Sequence, residues 1–212
     1  MYFTYCFLYT DNVKADLARR ALPRAAFHAA LGIVIAGSVY IFPRPAVLAG
    51  LAVITVAFIV VDMTRLHLPT LTKRFSTWFA PFLRRQEDSR LTGASYFLIG
   101  CLVSVLAFQR DIAVLALLFL SLGDPAATII GIWKGRVRIW NKSIEGDAAC
   151  LIVCLVISIL ITSIVHSPAL AVGIVGAFFA AVLEGLPVPI NDNLTIPIGS
   201  GLGMTIIAAL MG

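Results

Sequence analysis

The chain has 212 residues, of which 60% are hydrophobic and only 13% are charged. A soluble domain usually carries about 25% charged residues, so this composition excludes an ordinary soluble protein and indicates an integral membrane protein. The net charge of +5 does not predict a nucleic-acid partner, because the basic residues are spread over several connections and form no continuous stripe.

Seven apolar stretches predict an all-α fold, a polytopic transmembrane helix bundle of about seven spans. They cover approximately residues 25–42, 46–61, 92–108, 112–133, 148–165, 169–183 and 194–211. We divide the chain into a cytoplasmic N-terminal segment, residues 1–24, and a single transmembrane catalytic domain, residues 25–212. The last stretch contains Pro197 and three glycines. The sequence therefore leaves open whether that stretch spans the membrane fully.

Lysine and arginine alternate strongly between successive connections. Fourteen of the 16 basic residues lie in the N-terminal segment and in the connections after the second and fourth stretches, and the other two are Arg44 and Arg110. Cytoplasmic loops carry the excess of positive charge, so the N-terminus and the connections at 134–147 and 184–193 are predicted to be cytoplasmic. We expect an integral protein of the cell membrane, surrounded by membrane lipids.

The second cytoplasmic connection, residues 63–90, is predicted to contain an interfacial helix. Large apolar side chains recur there at helical spacing, with basic residues beside them: Leu71, Phe75, Trp78, Phe79 and Phe82. That pattern is typical of a helix lying in the headgroup layer. It is either a plain anchor or a gate through which a lipid substrate enters.

One acid stands inside the fourth apolar stretch. Asp124 is the single charge between Ile112 and Trp133, and Pro125 follows it at once. A carboxylate at membrane depth costs about 3 kcal/mol, and proline interrupts helical hydrogen bonds. Asp124 is therefore predicted to line a cavity, where it ligates Mg²⁺ or accepts a proton from an alcohol. The alternative is a structural acid paired with a basic residue on a neighbouring helix.

Two polar segments follow along the chain. Residues 131–146 combine glycines with four cations, which suit a polyphosphate but also suit simple positive-inside topology. Ser143 is expected to cap the next helix. Glu184, Asn191 and Asp192 have no cation beside them, which predicts a divalent-ion site or, alternatively, an Asn/Asp turn capping the last helix.

Small side chains mark two of the later stretches. Cys150 and Cys154 share one helix face and are predicted to be packing residues, because a buried cysteine behaves as a small hydrophobe. Close helix packing is predicted for the face formed by Gly173, Gly176, Ala177 and Ala180. This packing occurs within one bundle or between protomers, which leaves a homo-oligomer open.

The order of these motifs resembles the dolichol kinase, phytol kinase and CTP-dependent diacylglycerol kinase family. The resemblance covers nearly the whole chain from Arg24 onward, and it rests on Arg24-x3-His28-x3-Gly32, Leu91-Thr92-Gly93-Ala94-Ser95-Tyr96, Gly123-Asp124-x-Ala126-Ala127-x3-Gly131, Lys142-Ser143-x-Glu145-Gly146, Glu184 and Asp192-Asn193-x3-Pro197. Two positions depart from the family pattern: Ala25 stands where a lysine is common, and Pro125 where a small apolar residue is common.

The resemblance implies a membrane kinase that transfers the γ-phosphoryl group of a nucleoside triphosphate, often CTP, to a polyprenol, a phytol-like alcohol or a diacylglycerol. On this hypothesis the catalytic residues are Asp124, Lys142 and Asp192. The nucleotide-binding residues are Arg136, Arg138, Lys142, Ser143, Gly146 and Asn193. The ligands for Mg²⁺ are Asp124, Glu145, Glu184 and Asp192.

Two other functions compete with this one. A CDP-lipid synthase, which is a phosphatidate cytidylyltransferase, also has an acid-bearing helix followed by Lys, a hydroxyl residue and Glu-Gly. Those enzymes carry a basic motif near the C-terminus, whereas this chain has no Lys or Arg after Lys142. A small transporter or lipid-binding membrane protein also suits broken helices and buried acids. No inverted repeat supports the transporter.

Overall fold

The computed structural model of the chain describes residues 2–68, 77, 90–140, 142–187 and 189–211, with side chains from residue 15 onward except Arg20. The fold is helical, as predicted. Its elements are α1 (Tyr2–Ile41), α2 (Arg44–His67), α3 (Gly93–Ala107), α4 (Arg110–Leu118), a π-helical turn (Phe119–Gly123), α5 (Asp124–Lys134), β1 (Arg138–Ile139), β2 (Lys142–Ser143), α6 (Ile144–Val165), α7 (Leu170–Gly185) and α8 (Asp192–Met211).

Each predicted apolar stretch coincides with helix, and α4, the π turn and α5 together form the fourth. Among the described residues, five helical segments are long and apolar enough to cross a membrane: Ala15–Ile41, Arg44–His67, Arg110–Lys134, Ile144–Val165 and Asp192–Met211. The apolar helices α3 and α7 are shorter. The predicted N-terminal segment, residues 1–24, is helical from Tyr2 and continues through Pro23 into the first span without a break.

The helices alternate in direction, which is visible from the arginines at one end of the bundle. Arg44, at the start of α2, donates to the carbonyl oxygens of Val105 and Leu106 at the end of α3, at 3.0 and 2.8 Å. Arg110, at the start of α4, donates to the carbonyl of Val39 near the end of α1, at 2.9 Å. A cation at a helix C-terminus satisfies carbonyl groups that have no partner within the helix.

The segment Arg110–Lys134 is the central helix of the bundle. Its apolar window is 72% buried, against 22–33% for the other four long segments, whose remaining surface faces outward. The six residues from Ile112 to Leu117 are at most 2% exposed. Surrounding helices therefore shield this segment from lipid, and they place Asp124 inside the protein.

The predicted small-residue face packs within the bundle. A Cβ atom added at Gly176 would lie 2.5 Å from the Met204 side chain of α8, so the close approach of α7 and α8 requires glycine there. Cys150 and Cys154 are buried free thiols whose sulfur atoms are 4.0 Å apart, which confirms their packing role. The predicted interfacial helix, with its five large apolar residues, lies outside the described residues.

Candidate functional site

Three charged side chains meet at the end of the bundle opposite to Arg44 and Arg110. Lys142 lies on β2, Glu184 in the last turn of α7, and Asp192 in the first turn of α8. The Lys142 Nζ atom donates to Glu184 Oε1 at 3.0 Å and to Asp192 Oδ2 at 2.9 Å. Lys142 therefore links the polar connection before α6 to the polar connection between α7 and α8. The two contacts join residues that are 42 and 50 positions apart in sequence.

This triad is only partly open to solvent. The side chains of Lys142 and Asp192 are 24% and 21% exposed, and that of Glu184 is 6% exposed. Burial by itself would lower the pKa of Lys142, but the carboxylates of Glu184 and Asp192 outweigh burial and raise the pKa above the ordinary lysine value. The ammonium group is thus held in its charged form at neutral pH.

Asp124 begins α5 directly after the π-helical turn Phe119–Gly123. A π turn is rare and occurs frequently at functional sites, because it shifts the helix register and disturbs the hydrogen-bond ladder. Asp124 is 6% exposed. Among the described residues, no side chain or backbone N–H donates a hydrogen bond to its carboxylate. The alternative of a structural ion pair for Asp124 therefore has no partner in this part of the chain.

A short β-hairpin carries Lys142 toward the start of α6. β1 and β2 pair antiparallel, with Arg138 opposite Ser143. The Ser143 hydroxyl accepts from the Gly146 N–H at 3.1 Å and caps α6, as predicted. A Cβ atom at Gly146 would lie 2.8 Å from the Ala127 carbonyl oxygen, so this glycine lets α6 pack directly on α5. Arg136 and Arg138 are both exposed on the outer surface of this segment.

Glu145 has a structural partner that the sequence did not predict. Its Oε1 atom accepts from the backbone N–H groups of Arg136 at 3.0 Å and Val137 at 3.2 Å. The carboxylate therefore fixes the segment that leads into the hairpin, and it holds the two exposed arginines close to the start of α6.

Asp147, in the first turn of α6, is a site residue that the sequence did not single out. Its carboxyl group lies beside the end of α7, close to Glu184 and Gly185. Asp147 Oδ1 and Glu184 Oε2 are both buried, and neither has a hydrogen-bond donor among the described residues. A Cβ atom at Gly185 would lie 2.7 Å from Asp147 Oδ2. One feature of the sequence indicated that Asp147 could come this close to α7: Glu184 is followed directly by a glycine.

The carboxylates do not by themselves form a metal site. Within the described residues, no group of three or more His, Cys, Asp or Glu side chains is arranged to hold a metal ion. Asp147 and Glu184 nevertheless each have one buried carboxylate oxygen without a donor among the described residues, and buried carboxylates are normally paired with a cation. Such a pair fits Mg²⁺, which is usually bound by one or two carboxylates together with substrate phosphates.

The two asparagines beside Asp192 have structural contacts. Asn191 Oδ1 accepts from the Asn193 N–H at 3.1 Å, which confirms the capping role considered for Asn191. The Asn193 amide group donates to the Gly93 carbonyl at 2.8 Å and joins α8 to the start of α3. Asn193 therefore stands between the charged triad and the helices α1–α3.

A second buried polar cluster braces the same end of the bundle. Asp62 is completely buried, and its Oδ1 atom accepts from Arg65 Nε at 2.6 Å. Its Oδ2 atom accepts from the Thr92 N–H at 2.7 Å and from the Ser95 hydroxyl at 2.6 Å. Asp62 thus fastens the end of α2 to the start of α3, which explains the polar residues of the Leu91–Tyr96 motif.

Comparison with known proteins supports the predicted resemblance. CTP-dependent diacylglycerol kinases of Eremothecium gossypii, Saccharomyces cerevisiae and Schizosaccharomyces pombe are 27%, 24% and 25% identical to this chain. The alignments cover 91%, 90% and 86% of this chain, and 69%, 74% and 91% of the relatives. No family model matches the chain, and no solved structure matches it. The similarity to these kinases confirms the resemblance to a polyprenol and diacylglycerol kinase-like family.

Proposed function

We propose that this chain is an integral membrane kinase that transfers the γ-phosphoryl group of CTP to a lipid alcohol. The observation that carries the proposal is the Lys142 ammonium group, held at 2.9–3.0 Å by the carboxylates of Glu184 and Asp192. The three relatives named CTP-dependent diacylglycerol kinases support CTP as donor and diacylglycerol, ahead of a polyprenol or a phytol-like alcohol, as acceptor.

The triphosphate binds where β2 meets α6. Phosphoryl transfer depends mainly on positioning and on neutralising charge, with little covalent work by the protein. Lys142 supplies a fixed positive charge, and the start of α6 at Ser143 and Gly146 favours an anion. Arg136 and Arg138, exposed on the hairpin segment, reach the outer phosphates. Asn193 positions the acceptor side of the site.

The carboxylates divide the remaining work. Asp147 and Glu184 would hold Mg²⁺ together with the phosphates, with Asp192 beside them and Glu145 keeping the hairpin in place. When bound, the ion neutralises charge that develops on the phosphate oxygens. Asp124 accepts the proton of the lipid hydroxyl. The lipid oxygen then forms a bond to the γ-phosphorus, the bond from that phosphorus to the bridging oxygen breaks, and CDP leaves.

The bundle spans the cell membrane seven times, with the N-terminus and the site cytoplasmic. The alternating helix directions and the basic residues near the site support this orientation. The lipid tail stays in the bilayer, and only its hydroxyl reaches the site.

Labelled CTP separates the kinase from the cytidylyltransferase. Purified protein in lipid vesicles is incubated with diacylglycerol or phosphatidate, using CTP labelled in turn at the α- and γ-phosphorus. A kinase releases CDP and carries the γ label into lipid, whereas a synthase releases pyrophosphate and carries the α label into lipid. The proposal is refuted if the protein releases pyrophosphate, or if CTP labels none of the lipid alcohols.

A further inference from the structure

A large apolar cavity opens between α1, α2 and the start of α3. It has a volume of about 650 Å³, which lies within the usual range of about 300–1,000 Å³ for small-molecule sites. On α1 it is lined by residues at helical spacing, including Phe27, Leu31, Ile35 and Phe42, and on α2 by Val47, Leu51, Ile54 and Phe58. The cavity exists because α1 and α2 touch each other little along their facing surfaces.

The cavity has one polar end. Arg24, His28, Thr92, Gly93 and Asn193 line it there, while its remaining lining is almost entirely apolar. The Asn193 side chain donates to the Gly93 carbonyl at 2.8 Å. The preceding residue, Asp192, accepts from Lys142 Nζ at 2.9 Å. The polar end of the cavity therefore lies next to Asp192, the α8 residue whose side chain holds Lys142.

The dimensions suit a lipid tail. From Arg24 to Phe42 the lining follows α1, and a rise of 1.5 Å per residue makes this path about 27 Å long. That length is close to the roughly 30 Å thickness of a bilayer's hydrocarbon core. Val34 and Ile54, which line the cavity, are 67% and 54% exposed, so the cavity is open on its side to acyl chains.

We infer that this cavity binds the aliphatic tail of the lipid-alcohol substrate, with the hydroxyl at the end formed by Thr92, Gly93 and Asn193. The inference rests on the proposed function and adds the place and the direction of the acceptor. A tail in this cavity lies along the helices, enters sideways from the bilayer, and presents its head group to the triad. An apolar cavity that ended away from the charged site would not select an alcohol substrate.

Two glycines provide a matched test. Gly50 lines the cavity, and a Cβ atom there meets no atom within 4 Å, so the backbone accepts a side chain at this position of the lining. Gly37, on α1, has equally open space but does not line the cavity. Gly50→Phe and Gly37→Phe therefore change helix propensity alike and differ in whether they fill the cavity.

The kinetic test compares a long-chain with a short-chain diacylglycerol in vesicles or micelles of fixed composition. Gly50→Phe is expected to lower kcat/KM for the long-chain alcohol at least tenfold more than for the short-chain one, with an unchanged KM for CTP. Gly37→Phe should behave like the wild type. Equal behaviour of the two variants overturns the inference. An inactive wild type instead refutes the proposed function, and the next measurement still tests the cavity.

A binding measurement gives the second readout. Diacylglycerol with a photoreactive group near the end of one chain is expected to crosslink to α1 and α2 at the lining positions, and Gly50→Phe should remove this crosslink. Excess unlabelled diacylglycerol should compete for it, and excess phosphatidylcholine should not. Equal competition by phosphatidylcholine would identify the cavity as a place for bulk membrane lipid and would overturn the inference.

Discussion

Replacing Lys142 tests whether the triad is a structural brace or part of the phosphate site. Lys142→Met removes two charge-assisted hydrogen bonds, each worth about 1.5–3 kcal/mol. The Glu184 side chain is only 6% exposed, and the substitution removes the cation on β2 with which it pairs. Breaking a buried ion pair costs about 3–5 kcal/mol. Lys142 and Asp192 are partly exposed, so solvent screening reduces the expected loss of stability to about 2–4 kcal/mol.

The stability loss should be separable from the loss of activity. Lys142→Met combined with Glu184→Gln removes the stranded charge, so most of the stability should return. Activity should not return, because the positive charge that faces the phosphates is still missing and Glu184, a proposed Mg²⁺ ligand, has lost its charge. We expect γ-phosphoryl transfer to stay at least about 100-fold below the wild type.

The assay pairs chemical denaturation in detergent micelles, followed by circular dichroism, with transfer of label from CTP to diacylglycerol. Lys142→Arg serves as the control that keeps the charge. A Lys142→Met protein with wild-type turnover, or a double variant that regains both stability and turnover, would refute the role of Lys142 in binding phosphate and leave it as a brace.

Three further substitutions test other parts of the site. Asp124→Asn should lower kcat about 10²–10⁴-fold while the unfolding transition stays unchanged, and wild-type kcat would remove Asp124 from catalysis. Asp147→Asn should raise the Mg²⁺ concentration for half-maximal activity at least about tenfold, whereas an unaltered Mg²⁺ titration would argue against a ligand role. Asp62→Asn should cost about 3–5 kcal/mol of stability by removing the charge opposite the buried Arg65, and a normal denaturation curve would contradict that estimate.

The helices were predictable because hydropathy is a local property of the chain. The central position of the fourth apolar stretch in the bundle was harder to predict from the sequence. Its composition resembles that of the other stretches, and only Asp124 and Pro125 distinguish it. The π turn before Asp124 was not predictable, since it depends on how Phe119 and Leu120 pack among the surrounding helices.

Contacts between distant segments explain what the sequence could not provide. The sequence identified Lys142, Glu184 and Asp192 as polar residues, but their mutual contacts depend on how α7 and α8 meet the hairpin. Asp147 was not singled out, because Glu184 approaches it from another helix. The bonds of Glu145 to the backbone of Arg136 and Val137 were not predictable either, because they depend on a hairpin that has no strong strand signal.

The position of the γ-phosphate in a bound nucleotide tests the central claim most directly. An experimental structure with a non-hydrolysable CTP analogue, Mg²⁺ and a short-chain diacylglycerol is the measurement. Our account predicts the γ-phosphate against Lys142 and the lipid hydroxyl between that phosphate and Asp124. A nucleotide bound at the opposite end, near Arg44 and Arg110, or a γ-phosphate facing away from Asp124, would contradict it.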